Sequence, residues 1–225
     1  MGIVRVVLTS LLCAAVLLSS PLIAQQPDAA TLAARVQQRY NTIKDFEGDF
    51  VQSYEGGVLK TRTSESGTMA IKRPGRMRWV YAKPEKKEFV SDGVRIYSYL
   101  PADKQVIVSP APGPGDATTP ALFLSGQADL ARDFTASFTE LPGMATGLTG
   151  LKLVSRKDDP DYQWIGLGVD PQSLQVRYLV AIDTQGGRSA FTFSNLKENR
   201  GISDKYFEFR IPRGVDVINQ GARSR

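Results

Sequence analysis

The chain has 225 residues, 42% hydrophobic and 23% charged, with a formal net charge of +5. That composition excludes an intrinsically disordered chain and is enough for a packed core. With no histidine and one cysteine, Cys13, it also excludes Ser-His-Asp or Cys-His catalysis, histidine-ligated zinc and an internal disulfide. The basic excess is mild and sits in local clusters such as Lys72-Arg73 and Lys86-Lys87. It is read as a solvated surface, and no nucleic-acid partner is expected.

Residues 1–24 differ from the rest. Arg5 precedes an apolar run from Leu8 to Leu18, which Ser19, Ser20 and Pro21 end and Ala24 follows. This is the layout of a secretory signal peptide, and the run is shorter than the about 20 residues of a membrane span. Cys13 lies inside it after Leu12 rather than a small residue, so lipidation there is not expected. The mature part, residues 25–225, is expected to be one domain, exported to the periplasm once the signal is cleaved.

Asp28 to Ile43 predicts a helix. Asp28 is a suitable cap, and Leu32, Val36, Tyr40 and Ile43 recur at helical spacing. From Phe46 the period becomes two. Phe46, Phe50 and Tyr54 share a face, Val58 to Ile71 continues as a strand or strand pair, and Met77, Trp79 and Tyr81 alternate with Arg76, Arg78 and Val80. Asp92-Gly93 predicts a hairpin turn between Glu88–Ser91 and Val94–Leu100, and Gln105–Ser109 a further strand.

Pro110 to Thr119 is a loop rich in proline and glycine. Thr119-Pro120 then opens a short helix through Leu122, Phe123 and Leu124, which Gly126 can end, with a further helical turn or two over Gln127–Asp133. Three consecutive large apolar residues cannot all hide on one side. Strands return at Leu151–Arg156, Gln163–Val169, Gln175–Asp183 and Arg188–Asn195, with a last one at Tyr206–Ile211. About ten strands joined by short turns predict a mainly β fold with a few helices, built on a strongly curved antiparallel sheet with the N-terminal helix on its concave side.

Four passages resemble the outer-membrane lipoprotein carrier proteins, the LolA family. They are Phe46-Glu-Gly-Asp-Phe-Val-Gln52; Gly67-Thr-Met-Ala-Ile-Lys-Arg-Pro74 running into Met77-Arg-Trp79; Pro84 with Phe89-Val-Ser-Asp-Gly93 and Ile96-Tyr-Ser-Tyr99; and Phe207-Glu-Phe-Arg-Ile-Pro212 with Gly214-Val-Asp-Val217. Their order fits the family from about Ala29 to Val217. The resemblance implies an unclosed β-barrel with a helical lid over an apolar cavity. It also implies a shuttle that takes acylated lipoproteins from an inner-membrane ABC transporter to an outer-membrane acceptor. Arg73 matches a family arginine thought to latch the lid. Met77 stands where the family often carries an aromatic residue linked to the transporter, and the proline- and glycine-rich segment before the lid is a second departure.

An acyl chain of about fifteen methylenes loses on the order of 10 kcal/mol of burial in water, so a carrier needs a large apolar concavity and a movable cover. The cavity candidates are Phe50, Met69, Ile71, Met77, Trp79, Tyr81, Phe89, Ile96, Leu179, Phe191 and Phe193, and the lid candidates Leu122, Phe123 and Leu124. Alternation alone does not say which sheet face is inside. No catalytic residue, metal or cofactor is expected. Asp158, Asp159 and Asp161 flank Pro160 as a charged turn, and neither a nucleophile elbow nor a phosphate-cradling loop is present. A monomer is expected. Carriage of another lipid or glycolipid, or a lipid- or lipoprotein-binding sensor, remains open on the residues alone.

Overall fold

The computed structural model describes residues 28–57, 61–112, 124–126 and 128–221. Helix α1, Ala29–Thr42, begins where the Asp28 carboxylate accepts from the Thr31 N–H at 2.6 Å. It buries Leu32, Val36 and Tyr40, one residue per turn along one face. The chain turns extended at Ile43 and enters the sheet.

Six strands follow as a meander: β1 (Asp45–Glu55), β2 (Arg62–Lys72), β3 (Arg76–Lys83), β4 (Lys87–Asp92), β5 (Arg95–Leu100) and β6 (Gln105–Pro110). A second meander comprises β7 (Phe134–Phe138), β8 (Thr149–Ser155), β9 (Tyr162–Val169), β10 (Val176–Asp183) and β11 (Arg188–Glu198). The two join where β11 pairs antiparallel with β1, with a register shift between Glu47 and Asp49. Short β12 (Asp216–Asn219) adds parallel to β6. The order is β12-β6-β5-β4-β3-β2-β1-β11-β10-β9-β8-β7, so β12 and β7 are free ends and the sheet is unclosed. Its curvature follows from its packing. Same-face residues of β2 and β3 meet those of β8 and β9 in one buried cluster with α1, which a flat sheet of this width could not allow.

This order gives the connection between β6 and β7 a task. It leaves β6 beside one free end of the sheet and must reach β7 at the other. The described parts of this crossing lie on the concave side: Leu124, Ala128 and Leu130 are buried in the concave cluster. Helix α2, Leu130–Asp133, closes the crossing. It is shorter than the predicted turn over Gln127–Asp133, because Asp129 caps it by accepting from the N–H groups of Ala131 and Arg132. The predicted helix from Thr119 lies outside the described residues up to Leu124, as do Val58 to Lys60 at the start of the predicted β2 strand.

Two further expectations change. Strand β7 was not predicted; its five residues carry only Phe134, Ala136 and Phe138 as an alternating face. Tyr206–Ile211 is not a strand. A 3-10 turn over Asp204–Phe207 packs on β3 and β4, and the extended chain beyond it stacks Phe209 on Tyr97 with ring centroids 5.3 Å apart. The alternation of Phe207 and Phe209 is real, but it seats rings on the convex face instead of serving a strand ladder.

Candidate functional site

The structure brings all eleven predicted cavity residues into one apolar cluster on the concave face, together with Leu124. Phe50, Met69, Ile71, Met77, Trp79, Tyr81, Leu179 and Phe193 are buried, and Phe89, Ile96 and Phe191 pack against them half-exposed. They come from seven strands, β1 to β5, β10 and β11. Much of this part is ring on ring. Phe50 lies 5.0 Å from Trp79 and 4.8 Å from Tyr81 in edge contacts, Trp79 lies 5.5 Å from Phe191, and Tyr81 lies 5.5 Å from Phe89. Each such pair contributes about 0.5–1.5 kcal/mol beyond its burial. Met77 faces into this cluster and is buried.

Leu151, Leu153, Ile165, Leu167 and Val169 of β8 and β9 complete the concave face and were not among the predicted residues. Their alternation is visible in the sequence, but alternation names a face without saying which one is inside. The convex face of the same strands is apolar too. There the segment after β7 lays Leu141 and Met144 over Tyr178, Val180 and Ala190. Gly166 and Gly168 permit this, since a Cβ there would meet Leu141 at 2.5 Å and Met144 at 2.9 Å.

The concave face turns polar beyond Tyr81. The Tyr81 hydroxyl donates to Gln52 Oε1 at 2.6 Å, and the Gln52 amide donates to Ser189 Oγ at 3.3 Å. Lys87, paired across from Tyr81, forms an ion pair with Glu65 at 2.6 Å and lies 4.4 Å from the Tyr81 ring centre. Burial first, and then the Glu65 charge, raise the Tyr81 phenol above its ordinary range.

At the opposite end, beside the β2–β3 turn, Arg73 donates to the carbonyl of Tyr40 in the last turn of α1. Its guanidinium also packs on Gly126, where a Cβ would lie 2.3 Å from Nε. Gly126 has φ +82, a backbone conformation that favours glycine. One residue away, the Gly75 N–H donates to the Ser125 carbonyl at 3.0 Å, and the Leu130 N–H donates to Gln37 Oε1 at 2.9 Å. Arg73 therefore sits between α1 and the end of the crossing segment, and burial pulls its guanidinium below the ordinary arginine range. Of the predicted lid residues, Leu124 is buried on the cluster, and Leu122 and Phe123 lie outside the described residues.

The acidic turn does structural work. Asp159 accepts from the N–H groups of Asp161 and Tyr162. Among the described residues, no three His, Cys, Asp or Glu side chains gather to hold a metal ion. The site offers apolar area and a polar edge, with Arg73 bridging α1 and the described end of the crossing segment.

Comparison with known proteins agrees with this geometry. The sequence model described as outer membrane lipoprotein carrier protein LolA matches residues 41–210. The outer-membrane lipoprotein carrier protein of Cupriavidus pinatubonensis is 30% identical, with 88% of this chain and 92% of that protein covered. The one from Bordetella avium is 32% identical over 78% of this chain and 81% of that protein. In fold, the chain is similar to an uncharacterized conserved protein from Thermus thermophilus, with TM-score 0.51, 15% identity, and coverage of 84% of this chain and 98% of that one.

Proposed function

The chain belongs to the outer membrane lipoprotein carrier protein family, and from that premise we propose that it holds the acyl chains of lipoproteins on its concave apolar face. It is a carrier, not an enzyme. It receives lipoproteins from an inner-membrane ABC transporter and delivers them to an outer-membrane acceptor. Residues 1–24 are the export signal, and residues 25–225 act in the periplasm as a single monomeric domain.

One observation carries this reading. Eleven large apolar residues from seven strands converge on one face, and the described end of the segment joining the two meanders is buried against them. The empty face is filled by its own side chains, so loading displaces α1, the crossing segment or the rings. Each acyl chain replaces burial worth about 10 kcal/mol. Arg73 gives the empty state a definite cover, and closing that cover favours release.

Native mass spectrometry of the mature protein purified from the periplasm tests the function, with organic extraction of whatever travels with it. Co-purifying lipoprotein that leaves on addition of the acceptor supports the carrier. A free lipid or glycolipid reassigns the cargo. An empty protein that takes no acylated peptide from detergent sinks both readings and leaves a sensor. For the latch, Arg73→Leu is expected to lower transfer to the acceptor about tenfold, the effect of losing one charge-assisted hydrogen bond, and Arg73→Lys to retain part of it. Undiminished transfer from Arg73→Leu removes the latch.

A further inference from the structure

Trp79 lies at the centre of the aromatic part of the concave face and is 6% exposed. Its indole Nε1 is buried and finds no hydrogen-bond acceptor among the described residues. Its nearest ring neighbour, Phe50, stands edge-on to it at 5.0 Å. A ring face is a far weaker acceptor than a carbonyl oxygen. Buried donors without partners are rare, because burying one without an acceptor forfeits its hydrogen bonds to water. A phenylalanine would keep an aromatic ring at this position without that penalty.

The position of Trp79 along the face supplies the missing acceptor. On one side of it, at Met77 and Ile71, the surface is wholly apolar. Two residues the other way, about 7 Å along the strand, Tyr81 opens the polar edge of Gln52, Glu65 and Lys87. An amphiphile whose chains lie on the apolar part and whose polar head meets that edge has its linking carbonyl at the level of Trp79. We infer that the Trp79 indole N–H donates to an acyl-ester carbonyl of the bound lipid. This rests on the lipid-carrier reading and extends it. It assigns the orientation of the cargo, head toward Gln52 and Lys87, and makes the protein selective for ester-linked over ether-linked chains.

The test uses two synthetic lipopeptides with an N-terminal S-diacylglyceryl cysteine. One carries two palmitoyl esters, and in the other both ester carbonyls are replaced by methylene groups. Full-length mature protein is titrated with each. The expected result is about fivefold tighter binding of the ester, the range of one neutral hydrogen bond. In the 1H–15N spectrum the Trp79 indole proton moves downfield with the ester lipid only. Trp164, on the convex face, serves as the internal control. Trp79→Phe is expected to bring the ester-to-ether affinity ratio from about five to about one, whatever the change in packing does to both affinities together. Equal affinity of the unmodified protein for both lipids overturns the inference and leaves the carrier standing. So does an equal loss for both lipids in Trp79→Phe, which would make the residue a packing group. Failure to bind either lipid overturns the carrier reading and the hydrogen bond with it.

Discussion

The half of the concave face beside α1 is aliphatic, and the half away from it is aromatic. In the first, Leu151, Leu153, Leu167, Val169, Val176 and Leu179 are at most 1% exposed. The Tyr40 hydroxyl accepts from the Val176 N–H at 3.1 Å and ties helix to strand. In the second, Phe89, Ile96 and Phe191 remain half-exposed, and rings meet mostly at their edges. Interdigitated branched side chains leave little freedom, and any lost volume becomes a cavity. Edge-on aromatic pairs can slide apart and close again over an inserted chain at small cost. The aliphatic half is therefore the scaffold and the aromatic half the adaptable surface, although they form one continuous cluster.

That contrast can be broken experimentally. Leu167→Ala should cost about 2–5 kcal/mol in urea unfolding, the range for a fully buried leucine. A loss below about 1 kcal/mol would mean that the aliphatic half is as yielding as the aromatic one. The seam between helix and scaffold has its own signature. Burial pushes the Tyr40 phenol up to about 12, against about 10 in the unfolded chain. The folded state holds this proton more tightly, so the stabilisation is complete below pH 10 and is lost as pH rises toward 12. Its size is about 3 kcal/mol. Denaturant titrations across that window should show the decline, and Tyr40→Phe should make it shallower, the remainder coming from other raised phenols such as Tyr81; an unchanged slope would deny the burial of this hydroxyl. The smallest stability effect belongs to the adaptable half. Phe191→Leu roughly conserves volume and should cost less than about 1.5 kcal/mol, yet weaken binding of the diacyl lipopeptide. A variant that loses stability but keeps its affinity would reverse the roles of the two halves.

The alternating residues of β1 to β3 and of β11 were legible because each strand there has one apolar and one mostly polar face. Spacing put Phe50, Trp79 and Phe191 each on the apolar face of its own strand, and strand pairing puts them on a common surface. The contacts of Arg73 were not legible, since nothing about an arginine before a proline says that it will meet the carbonyl of Tyr40 and the backbone of Gly126. On β9 and β10 both faces are apolar. Leu167 and Val180 cannot be assigned to inside or outside until the segment bearing Leu141 and Met144 is seen to cover the convex side. The terminal Phe207 and Phe209 show the same limit, because period two marks extended backbone but not a pairing partner.

By itself, the sequence determined the export signal as an expectation, the mainly β class, the capped first helix and the chemical character of the site, because caps, turns and alternation are local and follow from neighbouring residues. Tertiary structure decided which face is concave, that β1 pairs with the distant β11, and that the buried Trp79 donor finds no acceptor among the described residues. Those properties depend on long-range pairing and on what covers each face, and short-range periodicity carries no record of either.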